Sequence, residues 1–168
     1  MQAIRSGNKK FQKGILIVEI LIAIAIIATI SATIFGVVAI YLKTSIAMKE
    51  TVQANMLAQE AMEATRSFRD GKTWSINGLG TLSVDPVYYH PTKIGTSVLS
   101  WDLALDEENI NGFKRKVVFY NVQRDDVNKN IVSEGGTIDP NTKKVVATVS
   151  WKNKNVELVA YLTNWEKK

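Results

Sequence analysis

Lys13-Gly14-Ile15-Leu16-Ile17-Val18-Glu19-Ile20-Leu21-Ile22 joins a basic residue and a glycine to an aliphatic run broken by one carboxylate. From Ile20 to Leu42 the chain then carries 23 residues without a charge. As a helix rising 1.5 Å per residue, this run is roughly 34 Å long, against about 30 Å of bilayer hydrocarbon. The run predicts a membrane-spanning helix. A carboxylate such as Glu19 costs about 2.5–3.5 kcal/mol near the bilayer centre and less near an end. An acid in such a place is a functional-site candidate that needs a partner.

Charge gives the run a direction. Arg5, Lys9, Lys10 and Lys13 precede it, with no acid among the first 14 residues, whereas only Lys43 and Lys49 follow closely. The positive-inside bias places the N-terminus in the cytoplasm and the C-terminal part outside, as a single-pass protein of the cytoplasmic (inner) membrane. A removable secretory signal would have a shorter apolar core and a small-x-small exit. Ala28 and Ala32 match that poorly, and the apolar run continues past them. The same four residues account for most of the net charge of +5. Without them 17 basic residues face 16 acidic ones, so the rest of the chain has no electrostatic footprint for nucleic acid. With 168 residues the chain holds one modest domain plus an appendage. It has no cysteine, which excludes disulfides and thiolate metal ligands or nucleophiles.

Ala25, Ala28, Ala32, Gly36 and Ala39 recur three and four apart on one face of the run, with Thr29 and Thr33 close by. Such rows let membrane helices approach closely. No proline interrupts the chain from Ile15 to Asp70, so one helix is predicted across this span, ending at Gly71 as its C′ residue. Its outer half carries two apolar stripes. Ala47, Ala54, Leu57, Ala58, Ala61 and Phe68 share one face, and Met48, Val52 and Met56 lie roughly opposite. One stripe can cover a globular head. The other wants a partner, unless the head wraps both sides.

The Lys13-Gly14 junction, the five-residue spacing from Ile15 to Glu19 and the long apolar helix together closely resemble the signal of the type IV pilin and pseudopilin family. The resemblance covers about the first quarter of the chain. It implies a leader at 1–14, cleavage by a prepilin peptidase between Gly14 and Ile15, N-methylation of Ile15, and Glu19 as the assembly carboxylate. It further implies assembly with other pilin subunits into a helical filament, driven by a platform membrane protein and an ATPase. Ile15 stands where the family most often has Phe, and Gly36 lies near a helix-loosening proline of many major pilins. Cleavage would create an ammonium at Ile15, and an amine and a carboxylate that are each costly in hydrocarbon attract strongly there. The alternatives are a pseudopilin of a type II secretion or competence system, and a permanently membrane-anchored adhesin or sensor.

Beyond Asp70 the signals change to those of sheet. Lys114–Gln123 is rich in β-branched and aromatic residues. Lys143–Trp151 and Val156–Thr163 alternate, joined by a turn at Lys152-Asn153-Lys154-Asn155. Residues 71–112 read as an irregular connection, with short strands at Gly80–Val84 and Pro86–His90. The predicted class is α+β, a pilin-like layout: a long N-terminal helix whose lower half spans the membrane, packed on a C-terminal antiparallel sheet. The divisions are 1–14 leader, 15–42 transmembrane half, 43–70 amphipathic half and 71–168 head.

Little else carries chemistry. Asp126-Val127-Asn128-Lys129-Asn130 has the opening spacing of a calcium loop, but Ile131 replaces the glycine and Thr137 the bidentate glutamate. It reads as an exposed turn with Asx hydrogen bonds. His90 is the only histidine and reads as a loop residue, and Asp106-Glu107-Glu108 reads as a solvated acidic loop. No cofactor, metal site or catalytic group is expected.

Overall fold

The computed structural model describes residues 9–95 and 100–165, with side chains from Leu16 onward. The first eight residues lie outside the described residues. The chain forms two compact units, Met1–Met48 and Lys49–Lys168. Helix α1 runs Lys9–Asp70. From Leu16 to Leu42 its side chains are exposed, apart from a half-buried Ser31. The helix is long and apolar enough to cross a membrane.

The second unit places the last turns of α1, residues 49–70, over an antiparallel sheet. The strands are β1 (Tyr89–Ile94), β2 (Ser100–Leu105), β3 (Glu108–Ile110), β4 (Phe113–Arg124), β5 (Ile131–Val132), β6 (Thr137–Trp151) and β7 (Lys154–Thr163). Their order is β2-β1-β4-β6-β7, with β3 and β5 also pairing on β4. This is the expected α+β layout of a long N-terminal helix and an antiparallel sheet.

Alternation decides which face is covered. Val145, Ala147, Val149 and Trp151 of β6 are buried, as are Phe113, Val117 and Phe119 of β4. Against them α1 presents Ala54, Ala58 and Ala61, all fully buried. A methyl row on the helix leaves room for the large sheet side chains, which pack in two clusters. Phe113, Val149 and Trp151 meet Ala54 and Ala58. Val117, Phe119 and Val145 meet Ala61 and Phe68 with Trp74 and Leu79. Tyr89 stands edge-on to Phe119 at 5.4 Å between ring centroids. Arg115, on the covered face of β4, is 3% exposed. Its guanidinium donates to Glu108 Oε2 at 3.1 and 2.5 Å and to Glu60 Oε2 at 3.1 Å. A buried cation requires such pairing, and this one ties α1 to β3 and β4. The second stripe is uncovered: Met48, Val52 and Met56 are exposed, so the head does not wrap both sides.

Several local readings need correction. Gly80–Val84 is not a strand. Leu79–Thr81 is a 3-10 turn, and Gly80 N–H donates to Trp74 O. A Cβ on Gly80 would lie 2.6 Å from the Trp74 ring, so glycine is required by that close approach. Leu79, Leu82 and Val84 all pack on the core from an irregular segment. The strand read at Pro86–His90 begins instead at Tyr89 and continues to Ile94, which puts His90 in β1 rather than a loop. β2 and β3 were read as connection. Helix α1 does end at Asp70, but Gly71 is not left-handed; its N–H simply continues to Ser67 O at 2.9 Å. β6 starts six residues earlier than expected, and Pro140 fits because residues 140–142 bulge out of the β4 pairing.

Two substitutions test this core. Phe119→Ala should cost about 3–5 kcal/mol in chemical unfolding of the full chain in detergent, because Phe119 has no accessible surface. Lys143, 8% exposed, donates to Asn121 Oδ1, and desolvation pushes its amine below the usual lysine range. The folded state thus disfavours the charged amine, and stability should rise with pH between the depressed folded value and the ordinary one. Lys143→Met should raise stability by about 1 kcal/mol and remove that alkaline gain; a lower melting midpoint would contradict this account.

Candidate functional site

The site residues read from sequence fall in the first unit. Gly14 and Ile15 lie within the backbone of α1, and their side chains are outside the described residues. Glu19 is exposed and has no hydrogen bond or ion pair to any described residue. Ala25, Ala28, Ala32, Gly36 and Ala39 are exposed too. At about 100° per residue the five fall within a sector of roughly 80°. Glu19 projects roughly 140° away from the middle of that sector, over a face of Ile22, Ile26, Ile30 and Val37. The structure therefore joins the small residues into one row and separates the carboxylate from them.

Thr29 Oγ1 donates to Ile26 O at 2.8 Å and Thr33 Oγ1 to Ile30 O at 2.7 Å. These bonds hide both hydroxyl protons inside the helix, which lowers the cost of placing threonine in hydrocarbon. A Cβ on Gly36 would meet nothing within 4 Å, so its own chain does not require glycine there.

The head offers two further surfaces. The uncovered sheet face forms a shallow concavity of about 530 Å³, lined by Asp85, Tyr88, Lys116, Tyr120, Lys144 and Glu157 among others. Lys116 Nζ lies 4.1 Å from the centroid of the Tyr88 ring, and Lys144 Nζ 5.7 Å from that of Tyr120. Burial, with Asp85 and Glu157 near, pushes the Tyr120 phenol up. The outward positions of β4 and β6 are the sequence signal for this face; it was not singled out. At one end of the same sheet, Lys152 Nζ donates to Glu50 Oε1 at 2.5 Å. The Lys152 hydrogen bond holds the Glu50 carboxyl below its usual range.

The polar stretches singled out in the sequence have partners of their own. Asp125 Oδ1 accepts the N–H groups of Val127 and Asn128 at 2.8 Å, the expected Asx turn, and Asp126 Oδ1 accepts Thr137 Oγ1–H. The acidic stretch is not a solvated loop throughout: Glu107 pairs with Lys114, and Glu108, in β3, pairs with Arg115. No cluster of three or more metal-ligating side chains occurs among the described residues.

No protein-family model, curated protein or solved structure matches the chain. Gly36→Ala, which adds a methyl in open space, should strengthen the helix by about 1 kcal/mol. Amide exchange around residue 36 in detergent should slow by about fivefold. Faster exchange would mean that glycine is the better helix residue at this position.

Proposed function

We propose that the chain is a prepilin-type subunit, cleaved after Gly14, methylated on Ile15 and packed through α1 into a pilus or pseudopilus. One observation carries this reading. A basic leader, Gly14, an aliphatic residue and a carboxylate five residues into the product lead straight into an uncharged run whose side chains are all but wholly exposed. Nineteen exposed apolar residues in that run need lipid or other helices around them. Glu19, unpaired among the described residues, needs a cation. The ammonium released at Ile15 of a neighbouring copy supplies one, and in low dielectric the pair fixes the axial register as a buried polar group does in a coiled coil. The same match makes a filament subunit unable to join before it is processed.

In this reading the chain performs no catalysis. A prepilin peptidase acts on it, and a platform membrane protein and an ATPase polymerise it from the inner membrane towards the cell surface. The exposed Met48, Val52 and Met56 stripe supports further subunit contact, since methionine suits surfaces that must adapt.

N-terminal sequencing of the membrane-fraction protein tests the reading. The expected start is a methylated Ile15, with the 14-residue loss abolished in Gly14→Leu; an intact Met1 would instead support a permanent anchor. Glu19→Gln should leave insertion and cleavage unchanged and reduce recovery in sheared filaments by tenfold or more, at about 1.4 kcal/mol per decade. Normal recovery would remove the proposed pairing.

A further inference from the structure

β7 is the last strand of the sheet, and no described strand pairs with its outer side. Its hairpin with β6 decides which backbone groups point that way. The turn at Lys152-Asn153 closes on the pair Trp151 and Lys154, so Lys154 turns its N–H and C=O towards β6. Inward and outward positions then alternate. Val156, Leu158, Ala160 and Leu162 bond to β6, whereas Asn155, Glu157, Val159, Tyr161 and Thr163 turn their N–H and C=O away from it. The Asn164 N–H, bonded to Asn141 O at 2.8 Å, keeps the same parity at the far end. Among the described residues the outward backbone groups have no partner.

An open edge is a template for another strand, and proteins usually blunt it with proline, bulges or inward charges. In β2, at the opposite edge, Asp102 Oδ1 accepts the Leu103 N–H at 3.0 Å. β7 has no such device. It contains no proline, and its pairing with β6 runs from Lys154 to Thr163 without a shift in register. Apolar side chains flank the edge on both faces. Val159 is 53% exposed and Tyr161 48% exposed on the uncovered face, and Val156, Leu158 and Ala160 are half-buried on the helix side. Glu157 carries the one charge between Asn155 and Thr163. Asn155 Nδ2 donates to it at 3.3 Å, and no cation pairs with it among the described residues.

We propose that β7 takes up an extended segment of a partner chain as an added strand. The backbone groups select a strand, because only an extended chain meets donors and acceptors repeating every second residue. The side chains select its composition. The segment lacks proline, is apolar beside Val156, Leu158 and Ala160, and places a lysine or arginine opposite Glu157, where unlike charges across a pair attract. A second copy suits the edge less well. β7 starts beside Glu50 and brings Leu162 to Ala61 and Phe68, so it runs the same way as the last turns of α1. Antiparallel pairing of two β7 strands would put the two Lys49 ends at opposite ends of the joined sheet, where one bilayer cannot hold both. That argument rests on α1 crossing a membrane and is independent of cleavage at Gly14.

The test uses the full chain in detergent and a short synthetic peptide that alternates threonine and valine, with lysine in place of the central threonine. Methylating its valine amides blocks the far edge and keeps the peptide from pairing with itself. This peptide should move the amide protons of Glu157, Val159 and Tyr161 downfield and slow their exchange, while those of Val156 and Leu158, already bonded to β6, stay in place. Methylating the threonine and lysine amides instead should abolish both effects. Val159→Pro removes an outward N–H at a place where an edge strand tolerates proline. It should weaken binding by about tenfold and leave the rest of the spectrum unchanged. Glu157→Lys should reverse the preference between lysine-centred and glutamate-centred peptides, by about threefold each way. No shift at millimolar peptide, equal binding of the two methylated forms, or no reversal in Glu157→Lys would overturn the proposal. Shifts of the same amides that follow protein concentration without peptide would assign the edge to a second copy and overturn it too. An intact Met1 in the membrane fraction would remove the prepilin reading and leave this proposal standing.

Discussion

The second unit depends on one constraint: the apolar face of an antiparallel sheet must be covered, and among the described residues one α-helix covers it. The solution is a row of alanines. Ala54, Ala58 and Ala61 bring the helix close, so that Phe113, Val149, Trp151 and Phe119 reach past its methyl groups and bury completely or nearly so. Larger residues in that row would lift the helix and leave voids between the aromatic rings, where lost contacts are costly. Arg115 adds direction to this non-directional packing, because its guanidinium finds carboxylates on both the helix and β3.

Much of this was legible in the sequence because period and burial agree. The 3.6-residue spacing of alanines and Phe68 marked the covered helix face, and the period-2 runs of β6 and β7 marked the covered sheet face. Reading failed where burial came without regular backbone. Leu79, Leu82 and Val84 are apolar and pack on the core, yet they sit in a 3-10 turn and loop where Gly80 lies close against Trp74. It failed again where strands carry polar or mixed residues. β2 reads Ser-Trp-Asp-Leu-Ala-Leu and lies at an edge of the sheet, where one side of the strand faces solvent and alternation is blunted.

The candidate site was legible to a different degree. Its residues follow from spacing and charge in residues 1–14 and the uncharged run, features that need no tertiary fold. The angular separation of Glu19 from the small-residue row was equally available from 3.6 residues per turn. The motif spacing measures distance along the axis and carries no angle around it. The internal bonds of Thr29 and Thr33, in contrast, depend on side-chain rotamers that sequence does not specify.

That angular separation has a consequence for association. A helix with its carboxylate on one side and its small-residue row on another presents two unlike patches. A symmetric pair uses a single patch twice and leaves the other bare. Both patches are engaged only when one side of a copy meets the other side of the next. Contacts of that kind do not pair off; they close into a ring where the rotation between copies closes and remain open-ended where it does not.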